Sequence, residues 1–394
     1  MGAGEMSGVR VAVVAAGVVS PLGAGLEATR TALREARDCV SPVTRFSVSQ
    51  CRCTTAGQVD DDWLAGAVPN DRKARRLHRV SRMMIAALRE LLAQAPAFRP
   101  DLMVVGTTSG GMSFGEQYYR ALQHSDAPRH QVASWIANYP PQKPAADALE
   151  ACGLPAPCQV IANACASGSN AIGHAFECIR SGRYERILTG GYDALSELVF
   201  VGFDSLQAAT PEKCRPFDER RSGLVLGEGA ALLALENLES AQARGANVLG
   251  EITGYGVSTD NHHLTQPHPS GIGPRRAMER ALASAGRVPN EIDYVNAHGT
   301  ATPFNDAAEG RAILELLGRV PVSSTKGMMG HSLGAAGAIE AVITLLALGD
   351  NLLPANLNFR LGDPDLDLEI VANEPRAAAE VRVALSNSFG FGGT

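Results

Sequence analysis

The sequence predicts an α/β protein built from two similar halves that share one packed body. Three observations support this fold class. Short apolar runs rich in strand-forming residues alternate with longer helical patterns along the whole chain. A second set of elements with a similar rhythm begins near Gly250, and no Gly/Ser-rich or Pro-rich linker separates the two sets. We therefore expect an N-terminal half over residues 1–250 and a C-terminal half over residues 251–394.

In the first half, apolar runs bounded by turn residues are typical of buried strands. They lie at Val9–Val14, Asp101–Gly106, Cys158–Ile161, Arg186–Thr189 and Ala231–Glu236. Apolar residues recurring at three- and four-residue intervals predict helices between these strands. The helices are Leu26–Arg37, Arg79–Ala95 and Ala166–Arg180, and a fourth, Gly273–Ala285, falls in the second half.

The second half repeats the alternation of strands and helices. Strands are predicted at Glu251–Val257, Tyr294–Asn296 and Val381–Ser388, with helices at Asp306–Leu317 and Ala335–Leu348. Two proline-containing segments, Pro140-Pro141 and Pro211–Gly229, are predicted to be long surface loops near a site.

Composition excludes several classes of function. The 394 residues carry 35 Lys+Arg against 41 Asp+Glu, and a net charge of −6 argues against a protein that coats nucleic acid or an anionic membrane. No unbroken apolar run is long enough to span a bilayer, which predicts a soluble protein. The segment Gly2–Glu5 is interpreted as a short leader before the first strand, because the apolar stretch after it lacks the other features of an export signal.

The eight cysteines show no zinc-ligand spacing, so we predict no metal site. In a chain without an export signal, most of them are expected to be small buried hydrophobic residues in a reducing compartment. This predicts a cytoplasmic protein.

Cys165 is the candidate nucleophile. It lies in the segment Asn163–Gly168, directly after an apolar strand and at the start of a helix. A cysteine at such a turn lies near the free N–H groups and the positive end of the helix, and both favour the thiolate and predict a lowered pKa. The alternative interpretation is a core cysteine that happens to lie at a turn.

Two histidines follow predicted strands in Gly-rich loops. His298 comes after the strand Tyr294–Asn296, and His331 follows Lys326 and precedes Glu340 across a Gly/Ala-rich run. In α/β proteins, binding sites gather at the carboxyl ends of strands. One such histidine is more often structural, whereas two in this setting favour a catalytic site.

The ordered set of these residues resembles the β-ketoacyl-[acyl-carrier-protein] synthases of the thiolase-like superfamily, most closely their elongating type II branch. The resemblance covers nearly the whole chain. It includes GVVSPLG at 17–23, RPFD at 215–218, LVLGEG at 224–229 and the C-terminal GFGGT at 390–394. It implies a five-layer αβαβα fold, a homodimer, and no cofactor beyond the phosphopantetheine arm of an acyl carrier protein. Relatives are expected to continue past the position of Thr394 into a last strand, without which a sheet edge would be unpaired.

The resemblance also implies roles for individual residues. Cys165 would accept the acyl chain, while His298 and His331 would hydrogen-bond the malonyl thioester as carbon dioxide leaves. Lys326 and Glu340 would support the electrostatics of the two histidines. Phe391 would complete the oxyanion hole and gate the acyl pocket. Thr300 and Thr302 would contact the phosphopantetheine arm, and Phe389 would line the substrate pocket.

Three further positions concern the acyl chain. Ser109 is expected to line the chain pocket where related elongating enzymes often have a larger apolar residue, and Trp135 and Ile136 are expected to reach the same pocket across the dimer. These differences leave chain length and saturation open, and with them the choice between a fatty-acid and a polyketide or polyene pathway.

A basic cluster on this acidic protein is expected to dock the acidic carrier protein, because such a patch raises the rate of encounter. A nucleic-acid patch and a merely solvated helix start are the alternatives. The predicted dock consists of Arg72, Lys73, Arg75, Arg76 and Arg129.

Two other functions stay open from the sequence. A chain-length-factor-like partner subunit, with which a heterodimer would form, would bind the acyl chain without condensing it, but such subunits lack the nucleophile that Cys165 provides. A CoA-dependent acyltransferase of the thiolase type would carry a second catalytic cysteine in the C-terminal loop, where this chain has Phe389 and Phe391.

Overall fold

The computed structural model describes residues 8–66, 68, 76–124 and 135–394. The leader Gly2–Glu5 lies outside the described residues. Of the predicted dock, Arg72, Lys73, Arg75 and Arg129 also lie outside them, and Arg76 is described.

Fifteen strands are formed by the described residues. They are β1 (Val11–Ser20), β2 (Gly23–Ala24), β3 (Val40–Pro42), β4 (Thr55–Gly57), β5 (Leu102–Gly106), β6 (Cys158–Ile161), β7 (Arg186–Asp193), β8 (Gly229–Asn237), β9 (Gly250–Ile252), β10 (Tyr294–Asn296), β11 (Pro321–Ser323), β12 (Leu352–Leu353), β13 (Glu369–Ile370), β14 (Arg376–Ala377) and β15 (Ala384–Ser386).

Twelve α-helices accompany these strands in the described part of the chain. They are α1 (Leu26–Arg34), α2 (Asp61–Ala65), α3 (Arg79–Gln94), α4 (Met112–His124), α5 (Lys143–Ala151), α6 (Ser167–Arg180), α7 (Glu197–Ser205), α8 (Leu238–Ala243), α9 (Ile272–Ala285), α10 (Pro303–Leu317), α11 (Lys326–Met329) and α12 (Ala336–Asp350).

The first sheet belongs mainly to the N-terminal half. Its strand order is β2-β1-β8-β7-β5-β6, and β9 also pairs with β1. The pairs β5–β6 and β5–β7 are parallel, whereas β8 runs antiparallel to both β7 and β1. Helices cover both faces, with α3 and α5 on one side and α6 and α12 on the other. Because both faces are covered, all ten residues of β1 are buried.

The second sheet belongs to the C-terminal half. Its order is β13-β11-β10-β15, and all its pairs are parallel. One face packs against α12, and the other carries α9 and α10 around Met278, Leu282 and Ile313. Helix α12 contacts both sheets and packs against α6, so these two helices form a central layer. The layers run α, β, α, β, α, as the resemblance implies.

Several boundaries differ from the sequence-based expectations. The first strand extends to Ser20 and not only to Val14. The sequence did not show this end, because a strand that is buried on both faces has no alternation of apolar and polar residues. The strand predicted at Glu251–Val257 is only β9, and it joins the first sheet. The predicted surface loop Pro211–Gly229 is wrong in part, because Phe217, Asp218 and the run 223–229 are buried.

One apolar stretch in the described residues is long enough by length and composition to cross a membrane. It is Leu333–Asp350, with a mean hydropathy of 1.6, and 72% of it is buried inside the protein. Helix α12, which forms most of this stretch, packs against both sheets. A helix that is surrounded by protein in this way is apolar on all sides.

Candidate active site

The candidate catalytic residues meet where strands of both sheets end. Cys165 follows β6, His298 follows β10, His331 follows β11, and Phe389 and Phe391 follow β15. Strands β10, β11 and β15 are parallel neighbours, so their carboxyl ends open on the same edge. Cys165 comes to the same edge from the first sheet, because it lies between β6 and the start of helix α6.

Cys165 lies just before helix α6, after a residue with an uncommon backbone conformation. Ala164 has φ 55°, in the left-handed region that non-glycine residues rarely adopt. The cysteine is 6% exposed and lines a cavity of about 250 Å³. The lining extends to the exposed side chains of Leu206 and Phe304, so the sulfur is open to a path from the surface.

The prediction of a lowered thiol pKa is wrong. Burial raises the pKa of Cys165 to about 12, an effect that Lys326 opposes only in part and that Asp193 reinforces. Near neutral pH the Cys165 thiol is therefore protonated.

His298 and His331 lie against each other in the same cavity. Their ring centroids are 5.2 Å apart and the ring planes are nearly perpendicular, at 86°. In each ring Nδ1 is sealed from solvent and has no hydrogen-bond partner among the described residues, so Nε2 is the nitrogen that faces the cavity. Burial, with Lys326 nearby, lowers the pKa of both histidines well below the ordinary value. Both rings are therefore neutral near pH 7, and each has one N–H to donate.

Lys326 and Glu340 form a completely buried ion pair behind the two histidines. The Lys326 Nζ donates to Oε1 of Glu340, and neither side chain has any exposed surface. Burial raises the pKa of Glu340 to about 7 even though Lys326 opposes the shift. Its Oε2 has no hydrogen-bond partner within the described part of the chain.

Aromatic and hydroxyl side chains complete the cavity wall. Phe389 lies edge-on to His298 at 5.7 Å, and Phe391 stacks on Phe203 at 5.6 Å. Thr300 and Thr302 line the cavity with their hydroxyl oxygens 2.9 Å apart. The structure thus brings these four predicted residues into one site with the cysteine and the histidines.

Two carboxylates that the sequence analysis missed hold the His298 loop. Glu309 accepts hydrogen bonds from the backbone N–H groups of His298 and Gly299, each at 2.8 Å, and from the side-chain amide of Asn387 at 3.0 Å. Asp306 accepts from the N–H of Ala301. The sequence could have indicated them, because Asp306 and Glu309 are three residues apart near the start of α10. Residues with this spacing lie on the same face of a helix, here the face toward the loop.

The predicted chain-pocket residues do not join this cavity within the single chain. The Ser109 Oγ donates to Asp193 Oδ1 at 2.8 Å, and Ser109 is absent from the cavity lining. Trp135 lines a separate cleft with Arg76 among its walls, and Ile136 is 41% exposed. Their contacts across a dimer stay a prediction.

In the described residues, no group of three or more His, Cys, Asp or Glu side chains is arranged to hold a metal ion.

Comparison with known families gives the site its context. The family model described as "Beta-ketoacyl synthase, N-terminal domain" matches residues 9–241. The model described as "Beta-ketoacyl synthase, C-terminal domain" matches residues 249–360. The chain belongs to the beta-ketoacyl synthase family. The resemblance inferred from the sequence is thereby confirmed.

Individual relatives of this beta-ketoacyl synthase cover almost the whole chain. "3-oxoacyl-[acyl-carrier-protein] synthase 2" of Synechocystis sp. is 38% identical, over 98% of this chain and 96% of the relative. The solved structure "The ishigamide ketosynthase/chain length factor" superposes with a TM-score of 0.91 at 32% identity, over 98% of this chain and 97% of that one. This likeness confirms the predicted thiolase-like α/β fold.

A third relative is a structure of a ketosynthase with its carrier protein, "AntDE:AntF (apo): type II PKS acyl-carrier protein in complex with its ketosynthase bound to the hexaketide". It superposes with a TM-score of 0.87 at 26% identity, over 98% of this chain and 97% of that chain.

Proposed function

We propose that this protein is a 3-oxoacyl-[acyl-carrier-protein] synthase, an acyltransferase that joins malonyl-carrier protein to an acyl chain on Cys165 with loss of carbon dioxide. The observation that carries the proposal is the cavity shared by Cys165, His298 and His331, which reaches the surface. The name of the Synechocystis relative supports the same activity.

In the first half-reaction the Cys165 sulfur attacks the thioester carbon of the incoming acyl carrier protein. The thiol proton leaves with the departing carrier sulfur, so the step is balanced without a net base. The backbone N–H groups of Cys165 and Phe391 are proposed to stabilise the negative oxygen. Donors placed in this way typically contribute about 3–4 kcal/mol each to the transition state.

In the second half-reaction the malonyl thioester loses carbon dioxide. The electrons of the broken C–C bond pass to the thioester oxygen as an enolate, which the N–H groups of His298 and His331 stabilise. Neutral imidazoles suit this role because each keeps a donor without adding a full positive charge. The enolate carbon then attacks the acyl–Cys165 carbon, the C–S bond breaks, and the released Cys165 thiolate takes a proton from solvent.

The substrate is proposed to enter on the phosphopantetheine arm of an acyl carrier protein, with Thr300 and Thr302 contacting the arm. We propose no other cofactor. Arg76 is the described member of the proposed carrier-protein dock and is exposed. The solved ketosynthase with its acyl-carrier protein supports a partner of this kind.

The assembly and compartment are also proposed. A homodimer would bring Trp135 and Ile136 of each chain toward the other chain's pocket, while a heterodimer with a chain-length-factor-like subunit is the alternative. The retained nucleophile Cys165 makes this chain the condensing subunit in either case. We propose a cytoplasmic location and a functional division into residues 1–250, with the cysteine, and 251–394, with the histidines.

The test is covalent loading followed by intact-protein mass spectrometry. Mixing the protein with acyl-carrier protein should add the mass of the acyl group, and Cys165→Ala should abolish the addition. Cys178→Ala is the matched control, because Cys178 is buried on α6 and does not line the cavity. Loading that survives in Cys165→Ala would refute the assignment.

A donor panel separates this proposal from a thiolase-type acyltransferase. The wild-type protein should form a 3-oxoacyl product from malonyl-carrier protein and should release carbon dioxide in equal amount. Condensation that proceeds from acetyl-CoA and not from the malonyl donor would favour the thiolase type.

A further inference from the structure

The carboxylate of Asp193 joins two segments that serve different parts of the proposed site. Asp193 ends β7 and is completely buried. Its Oδ1 accepts hydrogen bonds from the Thr107 hydroxyl and from the N–H and hydroxyl of Ser109, each at 2.8 Å. Its Oδ2 accepts from the N–H of Thr108 at 2.8 Å and from the N–H of Gly334 at 2.7 Å.

Gly334 belongs to the loop that carries His331. The preceding residue, Leu333, has φ 53°, so the backbone here is held in a conformation that non-glycine residues rarely adopt. A Cβ on Gly334 would lie 2.5 Å from the Thr108 nitrogen and 2.7 Å from Asp193 Oδ2. Only glycine lets the His331 loop approach the carboxylate this closely.

The segment that presents Cys165 meets the same point. A Cβ on Gly168, in the first turn of α6, would lie 2.7 Å from the Gly334 carbonyl oxygen, and one on Gly191 of β7 would lie 2.6 Å from it. The start of the cysteine helix, the strand that ends in Asp193 and the histidine loop therefore pack backbone against backbone.

We propose that Asp193 is a positioning residue that sets the geometry between Cys165 and His331, an inference that rests on the proposed function. Asp193 does not line the cavity, so it acts through the residues that it binds. Hydrogen bonds to a buried carboxylate are strong and directional, and a shift in residues 107–110 is therefore transmitted to Gly334 and the His331 loop. The Asp193 side chain therefore couples Ser109, where a wall of the acyl pocket is expected, to the His331 loop, where decarboxylation is proposed.

The test removes one donor from Asp193 and leaves the carboxylate in place. Asp193→Asn is a poor choice, because its NH₂ group would face N–H donors in a buried site and could prevent folding. Thr107→Val keeps the shape of a buried side chain and removes the hydroxyl that donates to Oδ1. The N–H of Gly110, which donates to that hydroxyl, also donates to Asp193 at 3.2 Å and so keeps an acceptor.

The matched control is Thr189→Val. Thr189 is completely buried in β7, the strand that ends in Asp193, and its hydroxyl has no partner among the described residues. The two variants make the same chemical change at buried threonines, but only Thr107→Val alters the hydrogen bonding of Asp193.

Two rates are measured well below the unfolding temperature of each variant: acyl loading of Cys165 and carbon dioxide release from malonyl-carrier protein. In Thr107→Val we expect the kcat of carbon dioxide release to fall about five- to tenfold and the loading rate to change less than about twofold. Thr189→Val should match wild type in both. Equal rates in the two variants, or a parallel fall in both half-reactions, would overturn the positioning role.

The wild-type arm separates this inference from the proposed function. If wild-type protein neither loads Cys165 nor releases carbon dioxide, the proposed function fails. If wild type performs both and Thr107→Val is unchanged, only the role of Asp193 fails.

Discussion

At the scale of single residues, burial controls the chemistry of the site more than local sequence does. The turn before α6 indicates Cys165 as the candidate nucleophile, but the pattern cannot reveal how much water the fold removes from the sulfur. Desolvation opposes any charged form, and it acts on the cysteine and on both histidines in the same cavity. The three side chains that line the cavity, Cys165, His298 and His331, are therefore neutral near pH 7.

The raised pKa of Cys165 predicts a particular pH dependence of alkylation. Below a pKa of about 12 the thiolate fraction grows about tenfold per pH unit, so the iodoacetamide rate at Cys165 should rise without a plateau between about pH 7 and pH 10. The rate is measured by intact mass, with Cys165→Ala correcting for other thiols. A plateau near neutral pH would show that the helix start lowers the pKa after all.

His298 should matter more for decarboxylation than for loading. His298→Ala removes one of two N–H donors to the enolate, and we expect carbon dioxide release to fall about 10²–10³-fold. Acyl loading of Cys165, followed by mass spectrometry, should fall far less. His268→Ala is the control, since that histidine is outside the cavity lining. Unchanged carbon dioxide release in His298→Ala would remove this residue from the mechanism.

At the scale of elements, each catalytic loop depends on a carboxylate supplied by a neighbouring element. Helix α10 supplies Glu309 to the loop after β10, and strand β7 supplies Asp193 to the loop before α12. The elements were largely predictable, since α10 was expected at Asp306–Leu317 and begins at Pro303. The hydrogen bonds were not predictable, because they join segments that are distant in sequence or lie on different elements.

Glu309→Gln tests the contribution of α10 to the site. An amide NH₂ in place of one oxygen faces the N–H groups of His298 and Gly299, so we expect a loss of about 1–3 kcal/mol in the free energy of unfolding. Carbon dioxide release should fall more than acyl loading, because the His298 loop is displaced.

Denaturant unfolding and the two half-reaction rates measure these effects. The control is Glu315→Gln on the same helix, whose carboxylate pairs with Arg275 at the surface and should contribute at most about 1 kcal/mol. A Glu309→Gln protein that behaves like Glu315→Gln would exclude the proposed support of the loop.

At the scale of the whole molecule, the shared central layer places one buried ion pair between the two sheets. The pKa of Glu340 is about 7 in the folded protein and near its ordinary value of 4.5 when unfolded. The folded state therefore keeps a proton that the unfolded state releases. The resulting stabilisation is fully present below about pH 4.5 and is lost as the pH rises through about 7.

Replacing both charges tests this pH dependence. The double variant Lys326→Met with Glu340→Met lacks the group that titrates, so it should not lose this stability as the pH rises. Its free energy of unfolding minus that of wild type should therefore increase by on the order of 2 kcal/mol between about pH 5 and pH 8. Denaturant titrations at several pH values measure the difference. A difference that does not change with pH would mean that Glu340 is already ionised throughout this range.

The proposed dock is tested by reversing its described charge. Arg76→Glu should raise the KM for acyl-carrier protein several-fold and leave the KM for a small thioester mimic unchanged, because only the carrier presents an acidic surface. Arg319→Glu, which changes an exposed arginine paired with Asp367, is the control. Equal changes in KM for both substrates would exclude Arg76 from the dock.

The sequence by itself determined the α/β alternation, the order of the site residues along the chain and the family, because hydrophobic periodicity and glycine-rich turns are local properties. Only the tertiary structure decided that Cys165 is protonated at rest, that Glu309 and Asp193 hold the catalytic loops, and that the segment 223–229 is buried. Each of these depends on how two sheets close over a common helical layer, and the resulting loss of water and long-range hydrogen bonds leave no local pattern in the chain.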